Sequence, residues 1–162
     1  MPFRPALIAL ALLAAPALAA DHDAVVKAQL ESKGTPFTID DDGDFQITVR
    51  VDDERTQLVW VRSAVESTDH HKVREIWSPG YRTPTGDFTS AIANDLLERS
   101  NNLKLGAWVK QDDVAMLVIK IPADASADAL DEAIDLAATS ADATNRTHRL
   151  YWTRAGRRED KA

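Results

Sequence analysis

Phe45, Ile47, Val49 and Val51 alternate with Gln46, Thr48 and Arg50. That is the two-residue period of a half-buried strand. Upstream, His22 to Lys33 reads as a short amphipathic helix: Val26 and Leu30 stand one turn apart, and Gly34 is placed to end it. Phe37 to Ile39 reads as a short strand, and Asp40-Asp41-Asp42-Gly43-Asp44 as a tight polar turn. Thr56 to Val65 is a second strand with Leu58, Val59, Trp60 and Val61 at its centre. The polar stretch from Glu66 to Lys72 reads as a loop, and Val73 to Trp77 as a third strand. Ser78-Pro79-Gly80 and Thr83-Pro84-Thr85-Gly86 are then expected to break the chain.

Asp87 stands where an N-cap is expected. Phe88, Ala91, Ile92 and Leu96 follow on one helical face. Leu103, Leu105, Ala107 and Val109 return to the strand period, which predicts that these four face inward. Asp112-Asp113 makes a turn. Val114 to Ile121 is apolar on both faces until Lys120, the pattern of a central strand covered twice. Ser126 caps a last helix with Leu130, Ile134, Ala137, Ala138 and Ala141 along one side. The order α-βββ-α-ββ-α, with hairpins and separate helices, predicts an α+β fold: an antiparallel sheet with flanking helices.

The residues before this pattern differ in kind. Arg4 is followed by an almost purely apolar stretch, Ala6 to Ala20, and then by Asp21. A charged start, a short apolar run and a small-residue exit form the secretory leader pattern. The run is about 15 residues, shorter than the roughly 20 that span a bilayer. Ala17-Leu18-Ala19 fits the cleavage rule, so residues 1–20 are expected to be a removable signal peptide. The mature chain is then expected in the periplasm or secreted, with no transmembrane segment.

Composition narrows the classes further. The chain has no cysteine, which excludes disulfides, thiol catalysis and Cys-based zinc sites. Residues 21–144 are long enough for one domain with a real core. From Asn145 onward the chain carries six basic and two acidic side chains, a balance of +4. Between Pro5 and Thr144 the balance is −12. An acidic body is a poor match for nucleic acid, whose phosphates need a basic face. Residues 145–162 read as a basic extension, either a solvated tail or a continuation of the last helix. Its Arg149-Leu150-Tyr151-Trp152-Thr153-Arg154 mixes aromatic and basic residues suited to an anionic partner.

Candidate chemistry is sparse. Placing Gly43 at the sixth position of a calcium loop puts Thr38 first and Val49 twelfth, where strong oxygen ligands are needed. The frame fails, and Asp-Gly between two strands reads as a hairpin turn. His70-His71 lies in a polar loop, and adjacent side chains in extended chain point opposite ways. No phosphate loop, nucleophile elbow or metalloprotease helix occurs. The residues therefore point to no catalytic group, no metal and no cofactor. Trp108 falls on a strand face with Lys104, Gly106 and Lys110 that reads as solvent-exposed, unless a loop or helix covers it. Exposed Trp beside Lys suits a protein partner. Leu97 stands off the Phe88-Ile92-Leu96 stripe with no core partner assigned. Trp108, Lys104, Lys110 and Leu97 are the candidate contact residues.

The stretch from Asp87 to Asp142 resembles the YbjN-like proteins, which share the fold of type III secretion chaperones. The likeness is carried by Arg99-Ser100-Asn101-Asn102, Leu103-Lys104-Leu105-Gly106-Ala107-Trp108, Gln111-Asp112-Asp113, Val114-Ala115-Met116-Leu117-Val118 and Ile121-Pro122. The upstream Asp40-Asp41-Asp42-Gly43-Asp44-Phe45 turn agrees with it. The resemblance implies a sensory-transduction regulator that binds proteins rather than transforming substrates. The expected function is thus an exported protein-binding module in envelope sensing or assembly. The alternative is a periplasmic domain responding to a ligand or cation at the acidic turn and His70-His71. Relatives of this kind often dimerise, so a weak homodimer is expected, favoured by salt and reduced by Trp108→Ala.

Overall fold

A computed structural model describes residues 21–84 and 86–159, with side chains through residue 147. The expected signal peptide lies outside the described residues. The first helix, α1 (Ala24–Lys33), is capped at one end by Asp23, whose carboxylate accepts the Val25 and Val26 N–H groups. At the other end Gly34 takes a left-handed φ of 68°, which a glycine adopts without steric cost. Four strands follow: β1 (Thr38–Ile39), β2 (Phe45–Arg50), β3 (Thr56–Ser67) and β4 (Lys72–Arg82). Then come α2 (Ser90–Asn102), β5 (Gly106–Gln111), β6 (Val114–Pro122) and α3 (Ala127–Glu159).

The fold is α+β, as the pattern predicts, with one six-stranded antiparallel sheet in the order β1-β2-β3-β4-β6-β5. The short strand expected at Phe37 to Ile39 forms over Thr38–Ile39, paired with Gln46 and Phe45, so the order is α-ββββ-α-ββ-α rather than α-βββ-α-ββ-α. β4 runs five residues beyond the expected stop at Trp77. Pro79 does not end it. The register shifts between Pro79 and Tyr81, and this bulge accommodates a residue with no N–H to donate.

One face of the sheet carries Phe45, Ile47, Val59, Val61, Ile76, Leu117 and Ile119, all buried. α3 closes it with Leu130, Ala133, Ile134, Ala137, Ala138 and Ala141. The small alanines let the helix approach the sheet closely. α1 packs beside α3 through Val26 and Leu30, with Gln29 donating to the Ala125 carbonyl at 2.7 Å. α2 lies along β5. Its N-cap is Thr89 rather than Asp87: the Thr89 hydroxyl accepts the Ile92 N–H, while Asp87 pairs with Lys110 at 2.8 Å. α3 continues as helix past Thr144, its last buried residue among the described side chains, to Glu159.

Candidate functional site

All three helices sit on one face of the sheet or at its β5 edge, leaving the other face without a covering element among the described residues. On β3 that open face presents Leu58, Trp60 and Arg62, since Val59 and Val61 point to the core. On β4 it presents Glu75, Trp77 and Pro79, and on β6 Met116 and Val118. β5 adds Ala107 and Val109. Trp60 and Trp77 are direct cross-strand partners, Pro79 lies opposite Met116, and Val109 lies opposite Met116 on the other side. These pairs make one continuous apolar band across four strands. Leu58, Trp60, Trp77 and Pro79 are only half-buried, and Val109 is 38% exposed.

Leu58, Trp60, Trp77, Pro79 and Met116 of this band floor an open groove with an acidic turn at each end. At one end the Asp40 carboxylate accepts the N–H groups of Asp42 and Asp44, which shapes the β1–β2 turn. Asp44 is 4% exposed and accepts the Ser63 N–H at 2.7 Å. Arg62 Nε lies 2.5 Å from Asp44 Oδ2, and its guanidinium sits 5.2 Å over the Trp77 ring. Burial raises the Asp44 carboxyl above its usual range; the Ser63 N–H and Arg62 oppose the rise, and Asp40 and Asp42 add to it by repulsion. At the other end Asp112 and Asp113 turn β5 into β6, and Arg82 reaches Asp113 at 2.6 Å. Five carboxylates and two guanidinium groups line the groove, a balance of −3. A polar border runs along the far side: Trp77 Nε1 donates to Glu75 at 2.9 Å, and Lys120 pairs with Glu75 at 3.0 Å.

The residues singled out from the sequence lie elsewhere. Trp108 is 9% exposed and belongs to the covered face. It lies flat on Gly80: a Cβ there would stand 2.3 Å from the indole Cη2. Lys110 shares that face but reaches out to Asp87 and lies 5.7 Å over the Phe88 ring. The inward and outward faces of β5 are thus the reverse of the expected ones, with Leu105 and Val109 outward. Leu97 is exposed at 66% and Lys104 is exposed, but neither forms a patch with the buried Trp108. Trp60, at the centre of the second expected strand, is half-buried on the open face. The sequence signal for the groove was the double-sided apolar run of β3 and β6, which also fits a strand covered on both sides.

His70 and His71 are exposed at the β3–β4 hairpin tip, where the Thr68 N–H donates to the His71 carbonyl. Among the described residues no three His, Cys, Asp or Glu side chains group as metal ligands. No described helix is long and apolar enough to cross a membrane. No protein-family model, no curated protein and no solved structure matches the chain.

Proposed function

We propose that this chain is an exported, non-catalytic protein-binding module whose contact surface is the open face of the sheet. The observation that carries the reading is the continuous, half-buried band of Leu58, Trp60, Trp77, Pro79 and Val109, left uncovered while the opposite face is sealed by helices. Large aromatic residues on a partly dry surface are the side chains that dominate protein interfaces. The acidic ends select a partner segment carrying basic residues beside apolar ones. The resemblance to YbjN-like and secretion-chaperone-like proteins agrees with this role, and the leader pattern supports a location in the cell envelope.

The test is affinity capture from envelope extracts with the chain from Asp21 onward, run in parallel with Leu58→Asp. Leu58 is half-buried and outside the helix-covered core, so the variant retains its fold by circular dichroism. Proteins recovered by the parent chain and lost with Leu58→Asp support the reading. Equal recovery with both removes the open face from it.

A further inference from the structure

We infer that the open face is occupied by the basic C-terminal helix of a second copy, in a reciprocal two-fold dimer. The inference rests on the open face being the contact surface and names its occupant.

Charge is the first argument. The groove carries five carboxylates against two guanidinium groups. Residues 145–162 carry six basic side chains against two acidic ones. They also bring Leu150, Tyr151 and Trp152, the combination of basic and apolar residues that an apolar floor with acidic ends selects.

Length is the second. α3 runs from Thr144, its last buried residue among the described side chains, to Glu159. That is ~22 Å of helix at 1.5 Å per residue. Five strands from β2 to β5, spaced ~4.8 Å apart, give a face ~20 Å across. A helix of this length therefore reaches across the open face.

Topology is the third. α3 packs on the covered face, so a continuous helix cannot fold back onto the opposite face of its own sheet. It leaves the core at Asn145, which stands on the groove rim. A second copy set rim to rim receives this helix and returns its own. Each contact is made twice, which doubles the area toward the ~1,200–2,000 Å² of a specific interface.

Pairing through sheet edges competes poorly. At β5 the outward Trp108 N–H is taken by the Ser100 hydroxyl of α2 at 2.9 Å. At the other edge β1 pairs only with Phe45 and Gln46, and the edge of β2 left beyond it is the short stretch from Ile47 to Arg50. Edges this short or covered resist strand addition, whereas the face offers a larger area.

Attraction between opposite charges makes low salt favour this dimer, because the screening length falls from about 30 Å at 0.01 M to about 3 Å at 1 M. Sedimentation equilibrium of the chain from Asp21 to Ala162 reads the outcome. A dimer at low salt should dissociate with a constant about tenfold or more higher at high salt. Reversing the tail with Arg154→Glu, Arg157→Glu and Arg158→Glu should give a monomer with unchanged thermal midpoint, as should ending the chain after Thr147. Leu58→Asp alone should also be monomeric. Mixing it with the tail-reversed chain should restore a weaker heterodimer, since one copy keeps its face and the other its tail. A monomer at both salts, a dimer strengthened by salt, a dimer indifferent to tail reversal, or no heterodimer on mixing each overturns the inference. A monomer that still captures envelope proteins through Leu58 overturns this inference alone. A dimer that captures nothing leaves it standing and counts against the wider binding role.

Discussion

Arg74 and Arg62 stand on opposite faces of one sheet, and each meets an aspartate 2.5 Å away. Arg74 is 4% exposed beneath the helices. Its guanidinium donates to Asp23 and to the carbonyls of Arg62 and Ser63, fastening the start of α1 to the sheet. Arg62 is half-exposed, lies over Trp77 and reaches the acidic turn. The two aspartates respond in opposite ways. Burial alone would raise Asp23, but the Val26 N–H, Arg74 and the Val25 N–H together hold it below its usual value. Asp44 ends above its usual value, because burial and two neighbouring carboxylates outweigh one N–H and one arginine. The difference teaches where the molecule is finished: the covered face ties Arg74 and Asp23 into one closed network, and the open face keeps aromatic surface and acidic charge in reserve.

The comparison breaks most readily in the core. Phe45→Ala should lower the unfolding free energy by about 3–5 kcal/mol, whereas Leu58→Ala on the open face should cost about 1 kcal/mol. Urea unfolding measures both, and equal costs would mean that the open face is packed like the covered one. Arg74→Ala removes a buried guanidinium that holds Asp23 and two backbone carbonyls and should cost about 3 kcal/mol or more, against about 1–2 kcal/mol for Arg62→Ala, whose guanidinium is partly hydrated and which leaves Asp44 the Ser63 N–H. A large Arg62 effect would show that the acidic turn, not α1, anchors the fold.

Gly80→Ala drives a methyl group into the Trp108 ring and should destabilise by about 1–3 kcal/mol. Trp108→Leu in the same chain makes room for that methyl, so the double variant should cost less than the sum of the single changes. Additive costs would mean that Trp108 does not lie on Gly80.

The smallest effect is in pH. The folded state holds the Asp44 proton more tightly than the unfolded chain does. Between the usual value of 3.8 and the raised one, stability from this group therefore falls as pH climbs, and the ionised carboxylate remains a cost at neutral pH. Asp44→Asn should remove that decline. Asp23 contributes with the opposite sign: its stabilisation is complete above 3.8 and is lost as pH falls through its lowered value. Urea midpoints from about pH 3 to 7 for the parent, Asp44→Asn and Asp23→Asn chains should show slopes of opposite sign.

Much of the fold was legible because local chemistry carried it. Gly34 ends α1, the Asp40 to Asp44 turn closes the first hairpin, and the alternation of Phe45, Ile47 and Val49 sets β2 in its true register. The last helix shows its buried stripe from Leu130 to Ala141. Pro79 misled because a bulge inside a sheet tolerates a proline that an isolated strand does not. Asp87 misled because Lys110, distant in sequence, competes for its carboxylate.

The binding face was the least legible part. A strand apolar on both sides says that both faces avoid water; it does not say whether a helix or a partner covers the second one. β5 had the same ambiguity in a sharper form. Its alternation fixed a two-residue period, but one face offered Leu105, Ala107 and Val109 and the other offered Gly106 and Trp108 between lysines. The choice fell to contacts made across the fold. Gly106 fits tightly against β6, where a Cβ would lie 2.1 Å from the Val118 carbonyl oxygen. Trp108 fills the space above Gly80, and Lys110 escapes burial by reaching Asp87. The sequence by itself determined which segments are strands and helices, because periodicity, caps and turns act within a few residues. Only the tertiary structure decided which side of the sheet the helices close, because that depends on volumes and charges brought together from distant parts of the chain.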